Sequence, residues 1–174
     1  APERVDTISV ESADQMYDAV MAHVGTCDIF IGVAAVADYK PVSAANQTIK
    51  KSGVPSNRSL TIELIENPDI IASVARHDPR PFTVGFAAET TDVLAYARKK
   101  LFTKNLDMIV ANDVSASEGG FNSEDNATTV LWRNPDEPQA TPSEEVMPLT
   151  SKTNVARRII ELIAQRAPLK AQNT

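Results

Sequence analysis

Residues 29–38 read IFIGVAAVAD, and this stretch decides the fold class. Its first five residues are continuously apolar, as expected of a strand that is covered on both faces in a parallel sheet. Small residues follow, and then Asp38 changes the character of the chain from apolar to charged. Ligands of open parallel sheets bind beyond the carboxyl ends of the strands, so Asp38 is a candidate ligand contact. The same local pattern fits a cap or a turn at Asp38 equally well.

The rest of the chain alternates strands and helices around this stretch. The residue pattern predicts further strands at 5–10, 59–66, 83–87 and 108–111, and a late hairpin from 127–132 and 145–148. It predicts helices at 13–24, 68–76, 92–104 and 154–165; Ser12 and Gln15 form a capping box before the first, and Asn67 caps the second. We therefore expect an α/β fold, a Rossmann-like three-layer parallel sheet with helices on both faces and a small late β-hairpin.

Composition bounds the class of protein. The chain has 174 residues, of which 43% are hydrophobic and 23% charged, so residues 1–174 are expected to form a single domain. A net charge of -6 argues against a surface that follows nucleic-acid phosphates. One cysteine and two histidines give neither an internal disulfide nor a recognisable metal-binding pattern. No apolar run approaches the roughly 20 residues that cross a bilayer, and we expect a cytoplasmic protein without membrane or nucleic-acid partners.

Polar or small residues follow three of the predicted strands, at 34–38, 87–90 and 112–113. Because carboxyl ends of parallel strands meet at one edge, these segments should lie together. Alanines there let the backbone approach a flat ligand, and a carboxylate can accept a hydrogen bond from an amino group. The segment 67–71, Asn-Pro-Asp-Ile-Ile, adds helix N-terminal amides near the same edge, where an anionic or carbonyl group can be held. Most such segments are only caps.

Two lysines mark a candidate anion contact. Lys100 and Lys104 stand four residues apart on a predicted helix, so they share a face and repel each other by roughly 0.2 to 0.5 kcal/mol. An anion between them would reverse that sign, whereas a solvated basic face near a helix C-terminus explains the pair without any ligand. Neither the GxGxxG nor the GxxxxGK[ST] motif is present, which disfavours a nicotinamide enzyme and a P-loop enzyme.

Six motifs in fixed order resemble a known family. They are AAVADYKP at 34–41, IKK at 49–51, ENPDII at 66–71, VGFAAET at 84–90, ARKKLFTKNLDMIVANDVS at 97–115 and GFNSEDN at 120–126. Together, over residues 5–166, they resemble the phosphopantothenate-cysteine ligase domain of the bacterial bifunctional phosphopantothenoylcysteine decarboxylase/phosphopantothenate-cysteine ligases of coenzyme A biosynthesis.

The resemblance implies a CTP-dependent ligation. The carboxylate of 4'-phosphopantothenate attacks the α-phosphate of CTP to give an acyl-cytidylate, and the amine of cysteine then displaces CMP. Mg²⁺ accompanies the triphosphate, FMN belongs only to a fused decarboxylase domain, and members of the family form homodimers. Such a site mainly positions its partners and neutralises phosphate charge.

The resemblance also implies which residues contact the nucleotide, while no catalytic residue and no metal ligand is assigned. Gly32, Ala34 and Asp38 would lie at the nucleotide. Lys100 and Lys104 would meet the phosphates. The base and ribose would be lined by Pro68, Asp69, Ile70, Ile71 and Phe86.

Two departures from the family pattern bear on activity. Thr48 occupies the position before the IKK run where the family has a lysine, and a hydroxyl cannot supply the missing charge. The family also has a strand, a Gly-rich loop and a helix before the position of Val5, and these are lacking here, so we expect this chain alone to lack normal turnover. The alternative is a non-catalytic or truncated nucleotide-binding and dimerisation module. Residue types alone leave CTP versus ATP and a fused decarboxylase open.

Overall fold

A five-stranded sheet forms the framework of the fold. The computed structural model describes residues 3–43, 47, 49, 60–89, 91–113 and 125–167. In these residues the strands are β1 (Ile29–Gly32), β2 (Tyr39–Pro41), β3 (Leu64–Glu66), β4 (Phe82–Glu89), β5 (Met108–Asp113), β6 (Asp125–Trp132) and β7 (Ser143–Ser151). The main sheet has the strand order β1-β4-β5-β6-β7, and a separate two-stranded ribbon joins β2 to β3.

The sheet changes from parallel to antiparallel at its middle strand. β1, β4 and β5 run parallel, with Gly32 paired to Gly85 and Gly85 to Ile109. β6 runs antiparallel to β5, and β7 antiparallel to β6. The predicted α/β class is confirmed, but the late hairpin is not small: β6 and β7 have 8 and 9 residues and extend the main sheet. The antiparallel half follows because two consecutive strands that are joined by a short connection must reverse direction.

The described residues include four α-helices, α1 (Ala13–His23), α2 (Ile70–Ala75), α3 (Val93–Thr103) and α4 (Lys152–Arg166). Of these, α2, α3 and α4 cover the two faces of this sheet, and α1 lies against α2. α4 packs on the face that carries Met108 and Val110. α2 and α3 pack on the face that carries Ile109 and Ala111. Side chains of a strand alternate between faces, so the continuous apolar run of β5 supplies both cores. The sequence pattern predicted cover on both faces for β1, which is instead an edge strand and only partly buried.

Two predicted strands differ from the structure. Residues 5–10 form no strand and are largely exposed; no other described segment pairs with them, and an isolated extended segment cannot satisfy its backbone hydrogen-bonding groups except with water. Of the strand predicted at 59–66, only β3 is formed among the described residues. It pairs with β2, which the sequence pattern did not predict, with Tyr39 opposite Glu66.

The helix starts were predicted with mixed success. The capping box of α1 is present: the Gln15 amide donates to Ser12 Oγ at 3.2 Å, and the Ser12 amide donates to Gln15 Oε1 at 3.2 Å. α2 begins later than predicted, because Asp69 rather than Asn67 is its N-cap. The Ala72 amide donates to Asp69 Oδ1 at 3.1 Å, so this carboxylate satisfies one of the unpaired amides of the first turn.

Candidate functional site

A cavity of about 920 Å³ opens beyond the carboxyl end of β1, and we call it the carboxyl-end cavity. Its walls come from the segment that follows β1, the segment that enters α2, one side of α1 and two lysines near the end of α3. All of the site residues predicted from the sequence line it: Gly32, Ala34, Asp38, Pro68, Asp69, Ile70, Ile71, Phe86, Lys100 and Lys104. The structure therefore brings these residues together, while their role toward a nucleotide stays a prediction.

Two glycines allow α2 to lie close to the sheet beside the cavity. A Cβ atom at Gly32 would lie 3.1 Å from Ile71 Cδ1 and 3.2 Å from Phe30 Cε1. A Cβ atom at Gly85, on the neighbouring strand, would lie 3.0 Å from the same Ile71 atom and 2.7 Å from Leu106 Cδ1. Ile71 thus fills the space that two side chains would otherwise take. The missing side chains set how closely the start of α2 approaches β1.

Asn67 joins the two segments that face each other across the site. Its backbone amide donates to the Asp38 carbonyl oxygen at 2.8 Å, and its Nδ2 donates to the Ala37 carbonyl oxygen at 2.9 Å. Asn67 Oδ1 is buried and accepts no hydrogen bond from any described residue. The sequence prediction gave Asn67 a capping role, so this bridge was missed. An asparagine has both a donor and an acceptor to spare, but its partner 30 positions away leaves no local signal.

The Asp38 residue lines the cavity. Within the described ranges its side chain makes neither a hydrogen bond nor an ion pair, and the residue is exposed. A cap or turn role would need its carboxylate to accept a nearby backbone amide. Only the carbonyl oxygen of Asp38 is engaged, by Asn67. Of the two alternatives that the sequence left open, the cap is not formed among the described residues, and the ligand contact stays a prediction.

The two lysines reach the cavity with different partners. Lys100 Nζ donates to the Phe86 carbonyl oxygen at 2.9 Å, which leaves its charge without a carboxylate among the described residues. Lys104 Nζ forms an ion pair with Asp69. Burial works to raise the pKa of Asp69, but the hydrogen bonds from Lys104 and the Ala72 amide and the nearby positive charges together hold it below its ordinary value.

The donor set of the cavity does not form a protein-built metal site. Nowhere in the described part of the chain do three or more His, Cys, Asp or Glu side chains come together as a metal-ion cluster. Mg²⁺ commonly keeps several waters and is held by one or two carboxylates together with substrate phosphates. The few carboxylates that line the cavity fit only that second arrangement, in which the metal arrives with a phosphorylated ligand. Thr48 and residues 50–51 lie outside the described residues, so the predicted consequence of Thr48 stays a prediction.

The described helices contain none that is both long and apolar enough to cross a membrane.

Comparison with known proteins confirms the resemblance seen in the motifs. The family model described as DNA/pantothenate metabolism flavoprotein C-terminal domain matches residues 1–167. The coenzyme A biosynthesis bifunctional protein CoaBC of Vibrio cholerae is 51% identical over 166 residues, 95% of this chain and 39% of that protein. CoaBC of Escherichia coli is 43% identical over 166 residues, with the same coverage of both proteins. The chain thus spans about two fifths of the length of these curated relatives.

Solved structures agree in fold. The crystal structure of the C-terminal domain of CoaBC has a TM-score of 0.69 and 34% identity, covering 94% of this chain and 69% of that one. The DNA/pantothenate metabolism flavoprotein from Streptococcus pneumoniae has a TM-score of 0.63 at 18% identity, covering 90% and 71%, and supports the fold alone. With a family model matched over nearly its whole length, the chain belongs to the family of DNA/pantothenate metabolism flavoprotein C-terminal domains.

Proposed function

We propose that this chain is part of a phosphopantothenate-cysteine ligase of coenzyme A biosynthesis and that CTP binds in the carboxyl-end cavity. One observation carries the proposal: an unpartnered carboxylate at Asp38, an aromatic side chain at Phe86 and an ammonium at Lys100 line a single cavity. These are the three kinds of group that a pyrimidine nucleotide needs, an acceptor for an amino or hydroxyl group, a flat apolar surface and a cation for phosphate. Membership of the family supports the reaction itself.

The chemistry divides into two displacements. The carboxylate of 4'-phosphopantothenate attacks the α-phosphorus of CTP, and pyrophosphate leaves. The amino group of cysteine then attacks the acyl carbon of the cytidylate, an amide bond forms, and CMP leaves. Activation turns a poor leaving group into a good one, so the protein has mainly to align the reactants and to offset phosphate charge.

Lys100 is the residue best placed for the phosphates. Its ammonium has three donors, and the Phe86 carbonyl oxygen uses one of them, so two remain for phosphate oxygens. That same hydrogen bond fixes the position of the ammonium before a ligand arrives. Lys104 is already paired with Asp69 and contributes less net charge. Because the triphosphate carries more negative charge than one lysine offsets, bound Mg²⁺ would supply the remaining positive charge.

Binding measurements test the assignment residue by residue. The full chain is titrated calorimetrically with CTP, ATP and CMP in the presence of Mg²⁺, in native form and as Lys100→Ala, Asp38→Ala and Lys99→Ala. Loss of a charge-assisted hydrogen bond in Lys100→Ala should weaken CTP binding by about tenfold or more and leave CMP binding nearly unchanged. Asp38→Ala should weaken CTP and CMP alike. Lys99 is exposed on the same helix and does not line the cavity, so it is the matched control.

Two outcomes would contradict the proposal. Equal CTP affinities in Lys100→Ala and Lys99→Ala would remove the phosphate role of Lys100. Tighter binding of ATP than of CTP by the native chain would contradict the nucleotide assignment. Turnover is measured separately, by CMP release in the presence of 4'-phosphopantothenate and cysteine.

We also propose that the chain forms a homodimer, with the β2–β3 ribbon in the contact. Tyr39 and Leu64 lie on one face of this ribbon and are 53% and 54% exposed, so that face presents apolar surface to a second copy of the chain. The second candidate function, a nucleotide-binding and dimerisation module without catalysis, draws on the same ribbon. Sedimentation that gives a dimer, together with CTP binding and no CMP release, would favour that module. A cytoplasmic location remains a prediction from the sequence.

A further inference from the structure

A second cavity, of about 670 Å³, lies at the end of the main sheet where the parallel strands begin, and we call it the arginine cavity. It is formed where the parallel strands β4 and β5 begin and where the antiparallel strand β6 ends. Arg80 and Asp107 precede β4 and β5, and Arg133 directly follows β6. Arg166, the last residue of α4, closes one side. None of these residues lines the carboxyl-end cavity.

Positive charge exceeds negative charge in the arginine cavity. Three arginines line it, and Asp107 is the single carboxylate among its described lining residues, so the cavity carries two uncompensated positive charges. This contrasts with a chain whose net charge is -6. Glu145 of β7, which attracts Arg166, is held at both carboxylate oxygens by Arg158 at 2.7 and 2.8 Å. An excess of this kind attracts an anion.

The arginines are only partly used by the protein. Arg80 forms an ion pair with Asp107, whose carboxylate also accepts the Thr83 amide at 2.8 Å. Arg133 Nη2 donates to Asn105 Oδ1 at 2.9 Å but lies 4.0 Å from Asp107 Oδ1, too far for a hydrogen bond. Each guanidinium has five N–H donors, so several remain without a protein acceptor in the described structure.

Burial makes the charge of two of these arginines costly. Removal from water lowers the pKa of Arg133, with Asp107 opposing and Arg80 adding to the effect. Removal from water also lowers the pKa of Arg166, against the attraction of Glu145. Cations that are partly desolvated and short of acceptors bind a phosphate strongly, because the anion offsets both deficits at once.

Part of the remaining wall is apolar. The Arg166 guanidinium stacks 3.9 Å from the centroid of the Trp132 ring, which joins the charged part of the cavity to an aromatic surface. Pro135 and Pro138 add apolar surface, and the other lining residues include Phe82 and the polar residues Asn134, Ser143 and Gln165. Prolines have fixed backbone φ angles and offer no N–H group, so this side favours an apolar part of a ligand.

We propose that the arginine cavity binds a small phosphate monoester, with the phosphate between Arg133 and Arg166 and an apolar substituent against Trp132 and the prolines. A phosphate monoester at neutral pH carries between one and two negative charges, which matches the uncompensated charge of the cavity. Guanidinium groups pair with phosphate in bidentate geometry, and a carboxylate ligand would offer one negative charge only. The site is independent of the nucleotide proposed for the carboxyl-end cavity, because the two cavities share no lining residue.

Trp132 provides the readout. It is the only tryptophan of the chain, so its fluorescence reports on this cavity alone. The full chain is titrated with phenyl phosphate, inorganic phosphate and benzoate through the millimolar range, and emission is followed with excitation at the red edge of tryptophan absorption. We expect a saturable change with phenyl phosphate, a weaker affinity for inorganic phosphate because it lacks the apolar part, and the weakest affinity for benzoate.

Matched variants identify the binding groups. Arg133→Gln and Arg166→Gln should each weaken phenyl phosphate binding by about tenfold or more, since each removes a charge-assisted contact. Arg157→Gln removes one charge from an exposed position of the same helix and should leave binding within about twofold of the native value. Circular dichroism of each variant establishes folding; where Arg133→Gln does not fold, Arg166→Gln decides, and Lys100→Ala should not change the titration.

Several results would overturn the proposal. The absence of any saturable change with phenyl phosphate in the native chain is one. An undiminished affinity in folded Arg166→Gln is another. Equal affinities for phenyl phosphate and inorganic phosphate would contradict the apolar subsite and leave a site for free phosphate only. Failure of CTP binding in the calorimetric titration would leave this result untouched, so the two proposals fail separately.

Discussion

The Asp69 carboxylate makes an N-cap hydrogen bond and an ion pair, and two substitutions distinguish what each contributes to stability. Its carboxylate accepts the Ala72 amide at the start of α2 and forms an ion pair with Lys104. Asp69→Ala removes both interactions, whereas Asp69→Asn keeps an N-cap side chain and removes only the charge. Loss of an N-cap costs about 1 kcal/mol. The two side chains of the ion pair are 36% and 37% exposed, so solvent limits the pair to about 0.5 kcal/mol.

These values give a clear expectation for the free energy of unfolding. Urea denaturation at pH 7, followed by circular dichroism, should show a loss of about 1.5 kcal/mol for Asp69→Ala and of about 0.5 kcal/mol for Asp69→Asn. Lys104→Ala is the matched control, because it removes the ion pair and leaves the cap. It should resemble Asp69→Asn.

The lowered pKa of Asp69 determines how the free energy of unfolding changes with pH. The pKa of Asp69 is lower in the folded chain than its ordinary value of 3.8, so this group stabilises the folded chain above pH 3.8. The stabilisation is lost as the pH falls through the folded pKa, and Asp69→Asn should show a shallower loss of stability below pH 3.8 than the native chain. Equal losses for Asp69→Ala and Asp69→Asn at pH 7 would refute the assigned cap. An unchanged acid profile in Asp69→Asn would refute the ion pair.

Two further substitutions test the packing that supports the sites. Leu101→Ala should lower the free energy of unfolding by about 2 to 5 kcal/mol in urea denaturation, because Leu101 is fully buried between α3 and the sheet; a loss below about 1 kcal/mol would contradict this packing. Gly85→Ala should cost about 1 to 3 kcal/mol, since its new Cβ would lie 2.7 Å from Leu106 Cδ1. Gly25→Ala is its control: the nearest atom there is 3.8 Å away, at His77, so equal losses at both glycines would contradict the crowding at Gly85.

The sequence predicted the centre of the sheet well for a physical reason. The strands β4 and β5 are apolar on both faces, and this pattern is produced by burial on two sides. The prediction of a strand is wrong for residues 5–10, which have the composition of a strand but no neighbouring strand among the described residues. Strand formation depends on a partner that composition does not reveal.

The sequence predicted which residues line the candidate site but not the hydrogen bonds and ion pairs among them. Helical spacing correctly brought Lys100 and Lys104 to one cavity. The ion pair of Lys104 with Asp69 joins residues 35 positions apart, and the Asn67 bridge to Ala37 joins residues 30 apart. Contacts of this length depend on the tertiary fold and leave no periodic signal in the chain. The sequence consequently suggested two equivalent lysines, whereas only Lys100 lacks a carboxylate partner among the described residues.

The change from parallel to antiparallel pairing between β5 and β6 determines where the arginine cavity forms. In a wholly parallel sheet the residues after β6 would stand at the same rim as Asp38. Because β6 runs backward, Trp132 and Arg133 arrive instead beside Asp107, at the strand beginnings. This one antiparallel strand thus places the arginine cavity a full strand length away from the carboxyl-end cavity that Asp38 lines. The nucleotide and the phosphate monoester that we propose would therefore bind at opposite ends of the strands, where their charges repel each other little.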